Sequence, residues 1–234
     1  MLEAAQIEWA GAPAHQRLSD RVAGDLFRLI VTLELKPGSV LYEHTLMQRL
    51  QCGRTPLREA LLTLERQLLV RIVPRQATIV TEITLAGSAE IYEALQCIEG
   101  PIARLAAARV TPAGLADLQR AAEALHSMTL RPELLPTDLY PVGQLDFGFH
   151  ETVAQAASNQ FLLSAWQSLR GTAMRLMCLS YRRPGAMAYL WAEHHRILEA
   201  LSGGDPGGAE RAVQEHIEAG KRRMFDHASS APFR

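Results

Sequence analysis

Cysteine is scarce in this sequence, and lysine is scarcer. The three cysteines, Cys52, Cys97 and Cys178, are odd in number, lie far apart and form no CxxC pair. They argue against a disulfide framework and favour a reducing compartment. Among the basic residues only Lys36 and Lys221 are lysine. Together with the abundant alanine, we interpret this as a bias of the genome rather than a functional signal.

Long apolar runs are also missing. No run approaches the roughly 20 residues that a membrane-spanning helix needs. Residues 1–15 have neither a basic start nor an apolar stretch, so they do not predict a signal peptide. The sequence therefore predicts a cytoplasmic protein with no membrane partner.

The composition is that of a folded protein with an uneven distribution of charge. Of the 234 residues, 48% are hydrophobic and 21% are charged, which excludes a disordered or collagen-like chain and allows one large domain or two modest ones. Residues 15–80 carry ten Arg or Lys against six Asp or Glu, and the remainder carries fourteen against nineteen. A mildly basic N-terminal third indicates a segment that faces nucleic acid, although this excess is weak evidence by itself.

Hydrophobic periodicity predicts a mostly α protein with an N-terminal winged helix-turn-helix over residues 16–83, after a tail of residues 1–15. Three segments have apolar residues at helical spacing, and two β-branched runs follow them. The expected elements are helices over 18–33, 43–51 and 54–66 and a two-stranded hairpin of 69–73 and 77–81. This order is typical of a DNA-binding domain.

Every segment after Thr84 has a helical period, and breaks containing Pro, Gly or Asn separate the segments. Six helices are expected, over 86–109, 112–129, 138–157, 159–181, 187–202 and 206–228. Mostly short loops between them predict an all-α antiparallel bundle over residues 84–230.

The helix over 54–66 is the candidate DNA-reading helix. Pro56 falls in its first turn, where the missing N–H costs little. Arg54 and Arg58 are four residues apart, so both project away from the leucine-rich face. Their guanidinium groups could reach phosphates or the O6/N7 edge of guanine. The alternative is a solvated basic face, but the hairpin that follows favours DNA.

Two stretches resemble the GntR family of bacterial transcription regulators in their order and spacing. They read Leu35-Lys36-Pro37-Gly38-Ser39-Val40-Leu41 and Arg54-Thr55-Pro56-Leu57-Arg58-Glu59-Ala60-Leu61. The resemblance implies that Arg54 and Arg58 contact the operator and that Thr55 and His44 assist them. Arg49 and Gln76 complete the expected DNA-binding set.

Three residues depart from the family pattern in this domain. Gly53 stands where a Ser or Thr usually caps the reading helix, which is a small loss because glycine is tolerated there. Leu68 replaces the glycine that usually ends that helix, and Gln76 replaces the glycine at the tip of the hairpin. We expect the last change to alter the contact that the tip makes with a minor groove.

Four polar residues in the second domain fall on otherwise apolar helix faces: Asp146, His150, His194 and His216. Burying them without partners would cost about 1–3 kcal/mol each. Carboxylate and imidazole groups are ligands that suit Zn, Ni, Mn or Fe, so a shared divalent metal would offset that cost. Isolated core histidines with ordinary hydrogen bonds are the alternative.

The same four residues, with the sequence around Glu193-His194, resemble the FCD domain of FadR-type GntR regulators over residues 86–228. Six helices resemble the shorter, VanR-like branch. The resemblance implies a divalent metal (Zn, Ni or Mn) with a small organic acid bound beside it. Leu95 stands where the family often has arginine, so Arg175 becomes the candidate effector ligand, with a structural ion pair as the alternative.

These features together predict a dimeric, metal-containing transcription regulator, most simply a repressor, that binds a pseudo-palindromic operator and responds to a small carboxylate. A metal-dependent enzyme using the Asp/His site is the second hypothesis. The sequence disfavours it, because Glu193 should point about 100° away from His194 and leaves no obvious general base. A third hypothesis is a DNA-binding regulator whose bundle pocket is purely structural.

Overall fold

The computed structural model describes residues 17–130, 135–181 and 189–230. The expected tail, residues 1–15, and the first expected residues of the fifth bundle helix, 187 and 188, lie outside these ranges. Within them, the chain is mostly α-helical, with three helices and a small sheet followed by a six-helix bundle. The predicted fold class is confirmed.

The N-terminal domain consists of α1 (Leu18–Val31), β1 (Val40–Leu41), α2 (Glu43–Leu50), α3 (Arg54–Arg66), β2 (Val70–Val73) and β3 (Ala77–Val80). The apolar faces of its helices close on a common core in which Leu26, Leu57 and Leu64 are almost completely buried. Because Leu57, Leu61 and Leu64 of α3 face this core, the polar face of the helix is left in solvent.

The predicted hairpin is present as the antiparallel pair of β2 and β3, but the sheet has a third strand that the sequence did not predict. β1 pairs antiparallel with β3, with Val40 opposite Ile79, and the strand order is β1-β3-β2. A strand of two residues is too short to show an alternating pattern. The sequence could therefore not reveal it.

The first helix ends at Val31, two residues before the predicted end. Leu33 has a φ of 65°, in the left-handed region, and so lies outside the helix. Its side chain nevertheless packs against the core of the bundle. The apolar pattern therefore continues past the last helical residue.

The bundle consists of α4 (Leu85–Arg109), α5 (Pro112–Thr129), α6 (Leu139–Ala156), α7 (Gln160–Ser180), α8 (Leu190–Ser202) and α9 (Pro206–Ser230). Side-chain oxygens of Thr84, Thr111 and Asn159 accept hydrogen bonds from first-turn backbone N–H groups of α4, α5 and α7. No helix in the described ranges is long and apolar enough to cross a membrane.

The two domains meet at α7, in a contact that we call the junction, made by Leu69, Thr81, Gly171 and Arg175. Arg175 is only 2% exposed, and its Nη1 donates to the backbone carbonyl of Thr81 at 2.8 Å. One turn earlier, Gly171 accommodates Leu69, because an added Cβ there would lie 2.7 Å from Leu69 Cδ1. α7 therefore holds the segment that links the domains.

Candidate metal centre and nucleic-acid interface

The structure brings all four predicted metal ligands together inside the bundle. Asp146 and His150 lie one turn apart on α6, His194 lies on α8 and His216 on α9. Each offers one ligand atom, and these atoms all lie within 4.8 Å of one another. Helical spacing placed each residue on the inner face of its helix, and the packing of the three helices makes one cluster.

Each of the three histidines has its Nδ1 engaged by an acceptor. Glu99 Oε2 lies 3.0 Å from Nδ1 of His150, Glu193 Oε2 lies 2.8 Å from Nδ1 of His216, and the Leu190 carbonyl lies 2.9 Å from Nδ1 of His194. Because a carbonyl or carboxylate only accepts, the proton belongs on Nδ1. The Nε2 lone pairs therefore remain for a cation, an arrangement typical of metal-binding histidines.

One contact in the cluster is well suited to a cation. Nε2 of His194 and Oδ1 of Asp146 lie 3.0 Å apart, and both are buried without a hydrogen bond. With the His194 proton on Nδ1, two lone pairs face each other. Burial without a partner is costly for either atom. The donor set of three imidazoles and one carboxylate suits a divalent metal placed between them.

Two carboxylates that the sequence did not assign to the site support it from outside. Glu99 on α4 accepts from Trp166 Nε1 at 2.8 Å as well as from His150. Glu193 accepts from both guanidinium ends of Arg223, at 2.6 and 2.9 Å, and from His216. The rotation of about 100° from His194 turns Glu193 toward α9, not out of the site.

The electrostatics of the cluster keep its carboxylates ionised. Burial opposes ionisation of Asp146, but His194 and then the charges of His150 and His216 outweigh it and lower the pKa to about 2. Burial also opposes ionisation of Glu193, yet hydrogen bonds from His216 and Arg223 lower its pKa to about 2. The same competition at His150 is decided by Glu99, which raises the pKa of the imidazole to about 9.

A cavity of about 70 Å³ opens beside the cluster. Its wall combines Asp146, His150 and His216 with apolar side chains and with Tyr92 and Arg223. Leu95, at the position of the missing family arginine, is one of the apolar residues that line it. Arg223 is therefore a cation at the cavity wall that the sequence analysis did not assign to the site.

Arg175, the predicted effector ligand, does not line this cavity. It lies on the opposite side of α7, where it binds the Thr81 carbonyl at the junction. It forms no salt bridge within the described ranges, so the structural ion pair considered as its alternative is not observed either. Its role is nevertheless structural, because its Nη1 donates to the backbone carbonyl of Thr81. Burial lowers the pKa of the guanidinium to about 10.

The predicted DNA-contacting residues of α3 form an exposed group, which we call the reading surface: Arg54, Thr55 and Arg58. The side chains of Arg54 and Arg58 are 68% and 60% exposed. Gly53 caps α3 without a side-chain hydrogen bond, in an extended conformation that other residues could adopt. The surface thus has the exposure and positive groups that DNA contact needs.

The three remaining DNA-binding candidates are also exposed but lie on other elements. His44 lies in the first turn of α2, beside Gln48, and Arg49 lies at its end, bound to Glu34 at 2.8 Å. Gln76 lies at the turn between β2 and β3. Its neighbour Arg75, which the sequence had not singled out, is exposed and has no side-chain partner among the described residues.

Comparison with known families matches both domains. Residues 90–219 match the FCD domain, and residues 18–80 match the family described as "Bacterial regulatory proteins, gntR family". Together these ranges contain the metal cluster and the reading surface.

Two curated relatives and one solved structure extend the likeness over the whole chain. The HTH-type transcriptional repressor RspR of Escherichia coli (strain K12) is 28% identical over 203 residues, 87% of each chain. The Glc operon transcriptional activator of the same organism is 27% identical over 225 residues, 88% of each chain. The structure of E. coli McbR/YncC matches with a TM-score of 0.77 and 24% identity, covering 91% of this chain and 99% of that one, which supports the fold alone.

Proposed function

Because the chain belongs to the GntR family of bacterial transcriptional regulators and carries an FCD domain, we propose that it is a metal-containing, organic-acid-responsive repressor. It is a regulator of transcription and not an enzyme. The observation that carries the metal part of the proposal is the pair of facing acceptors, Asp146 Oδ1 and His194 Nε2. The repressor part is supported by the reading surface and by the first relative named above.

Asp146, His150, His194 and His216 would hold the divalent metal, which is Zn, Ni or Mn. When bound, the metal supplies a concentrated positive charge to which a carboxylate can attach. Glu99 and Glu193 orient the imidazoles of His150 and His216 and keep each Nδ1 protonated. The burial of the cluster strengthens these interactions by excluding water.

The effector would be a small carboxylate that occupies the cavity beside the cluster. Arg223 offers a cation at the cavity wall, and its bond to Glu193 fixes its position. Burial raises the pKa of Tyr92 to about 12, so its hydroxyl stays protonated. That hydroxyl donates to the Gly220 carbonyl at 3.3 Å and would turn from it to donate to an anion. The volume of about 70 Å³ favours a compact acid over an extended one.

Coupling between effector and DNA would run through α7. Ala173 and Met177 line the cavity, whereas Gly171 and Arg175 hold the junction from the same helix. A ligand that shifts α7 would therefore also shift the reading surface. For this to regulate DNA binding, the ligand must prefer one of the two arrangements.

The DNA-bound form would be a homodimer acting in the cytoplasm. A two-fold dimer presents two copies of α3 to two half-sites of a pseudo-palindromic double-stranded operator. Arg54 and Arg58 would read bases and phosphates, Thr55, His44 and Arg49 would support them, and the turn at Gln76 would approach the minor groove.

Metal analysis and gel-shift measurements on a few variants test the proposal. We expect about one divalent ion per chain in the wild type, loss of that ion in His150→Ala, and full retention in the matched control His195→Ala, whose imidazole lies on α8 outside the cluster. We also expect selective binding to the protein's own promoter region, abolished by Arg58→Ala. Full metal content in His150→Ala would contradict the site, and an unchanged shift with Arg58→Ala would contradict the DNA-reading role.

A further inference from the structure

The reading surface contains a carboxylate contributed by another helix. Glu43, in the first turn of α2, accepts from Nε of Arg58 at 3.0 Å and from Nη2 of Arg58 at 3.4 Å. Nε of Arg54 lies 3.7 Å from the same carboxylate. One acidic group thus binds both arginines that are expected to meet the operator.

The position of Glu43 is fixed by the helix that carries it. Its place in the first turn of α2 is favourable for a negative charge. α2 is in turn held against α3 by the core, in which Leu46 and Leu61 are buried. The backbone of Glu43 is therefore held close to α3, and its side chain stays within reach of both arginines.

A negative charge here is unfavourable for DNA binding in general, because DNA presents phosphates to the same surface. The exposed pair also adds little to folding stability. Neither stability nor overall affinity explains the residue.

The geometry of the pair leaves one edge of Arg58 free. Glu43 occupies the Nε–H and one Nη2–H, so Nη1 and the second Nη2–H still form a fork directed outward. Such an end-on fork matches the O6 and N7 acceptors of guanine. A guanidinium held on one side by a carboxylate has fewer orientations to lose when it binds a base.

We propose that Glu43 is a positioning residue that gives the regulator its operator specificity. It holds Arg58, and more loosely Arg54, for end-on pairing with guanine, and its charge weakens binding of the same arginines to phosphates. On an operator the carboxylate can stay paired while the base is read. On other DNA the arginines must either leave Glu43 or bring it close to phosphate. This inference rests on the proposed DNA-reading function of α3.

Binding to selected and unselected duplexes tests the role of Glu43. The probes are a pool of random duplexes and the single duplex that wild-type protein enriches from that pool. Glu43→Gln removes the charge and keeps an acceptor, whereas Glu43→Asp keeps the charge but is one methylene too short to hold the fork. Asp20→Asn is the matched control, because it removes a charge from an exposed, unpaired side chain of the same domain.

For Glu43→Gln we expect binding to the random pool to tighten about tenfold, with a salt slope steeper by about one phosphate contact. Binding to the enriched duplex should change less, so the ratio of the two affinities falls about tenfold. For Glu43→Asp we expect weaker binding to the enriched duplex by about tenfold without tighter binding to the pool. Asp20→Asn should leave the ratio unchanged, and all variants should unfold within a few degrees of the wild-type temperature, since each charge lost from a first helical turn contributes at most about 1 kcal/mol.

The outcomes separate this inference from the function on which it rests. If wild-type protein enriches no sequence, both are overturned. If it enriches a duplex that Arg58→Ala no longer selects, but Glu43→Gln and Glu43→Asp keep the wild-type affinity ratio, the DNA-reading function stands and the role of Glu43 is overturned.

Discussion

Asp146 Oδ1 and His194 Nε2 lie 3.0 Å apart in a buried part of the bundle where neither atom has a hydrogen bond, and with the His194 proton on Nδ1 both atoms present lone pairs to each other. This is an unstable arrangement for the metal-free protein and a favourable one for a protein that contains a cation. The candidate metal site can therefore be tested by measuring unfolding temperature as well as metal content.

The first prediction concerns Asp146→Asn. An amide at this position can donate to Nε2 of His194, so the metal-free variant should be more stable than the metal-free wild type by about 1 kcal/mol, or about 2–4 °C in Tm. It should also lose the stabilisation that added zinc gives to the wild type. Thermal unfolding with and without EDTA measures both effects. A metal-free variant less stable than metal-free wild type would contradict the facing-acceptor interpretation.

The second prediction concerns the pH dependence of metal binding. In the metal-free protein Glu99 raises the pKa of His150 to about 9, so below that pH the imidazole must lose a proton before it binds. Zinc affinity should therefore fall about tenfold for each unit of pH below about 9 and level off above it. Competition with a chelator between pH 6.5 and 9.5 checks this.

Glu99→Gln provides the critical variant for this pH dependence. It keeps one acceptor, which can serve Nδ1 of His150 while the bond from Trp166 Nε1 is lost. It removes the charge that raises the pKa, so the fall in affinity should begin at a lower pH. Glu123→Gln, an exposed change on α5, serves as the control. Identical pH profiles for Glu99→Gln and the wild type would show that Glu99 does not set the proton affinity of the site.

The third prediction concerns Leu68, which has a φ of 58° and a side chain 59% exposed. A leucine in the left-handed region carries a strain of about 1–2 kcal/mol, which glycine relieves. Part of that gain is offset by the freedom of glycine in the unfolded chain. Leu68→Gly should stabilise the protein by about 0.5–1 kcal/mol in urea unfolding. Leu68→Ala keeps the Cβ and should show no such gain; equal stability of the two variants would argue against strain at this position.

The fourth prediction concerns the junction. Arg175→Met removes the donor to the Thr81 carbonyl, and a hydrogen bond to a charged group contributes about 1.5–3 kcal/mol. Hydrogen exchange in residues 69–84 should therefore accelerate by about tenfold or more, while metal content stays at the wild-type level. Arg104→Met, which removes an exposed arginine paired with Glu210, is the control. If Arg175→Met instead lost its metal while exchange in residues 69–84 stayed unchanged, Arg175 would belong to the candidate metal and effector site and not to the junction.

The sequence predicted most of the fold because its helices are amphipathic and its breaks are chemically clear. It missed β1 since two residues show no period, and it extended α1 because Leu33 continues the apolar pattern from a left-handed position. The second miss shows that an apolar pattern can continue past the residue at which the backbone leaves the helix.

From the sequence, the candidate site could be predicted only within each helix separately. Spacing placed Asp146, His150, His194 and His216 on inner faces, and the structure brings them together. Periodicity does not reveal which neighbouring helix a face will meet. For that reason Glu193 was expected to point away, although it meets α9.

One face of α7 lines the cavity and the opposite face holds the linker segment, which constrains how this helix can evolve. A substitution on α7 that reshapes the cavity would also shift the junction, so under the proposed function a change of effector preference there would alter operator affinity. α9 contributes Ile217, Gly220 and Arg223 to the cavity and packs on α4, α7 and α8. New effector preferences within this lineage should therefore accumulate on α9, while α7 changes slowly.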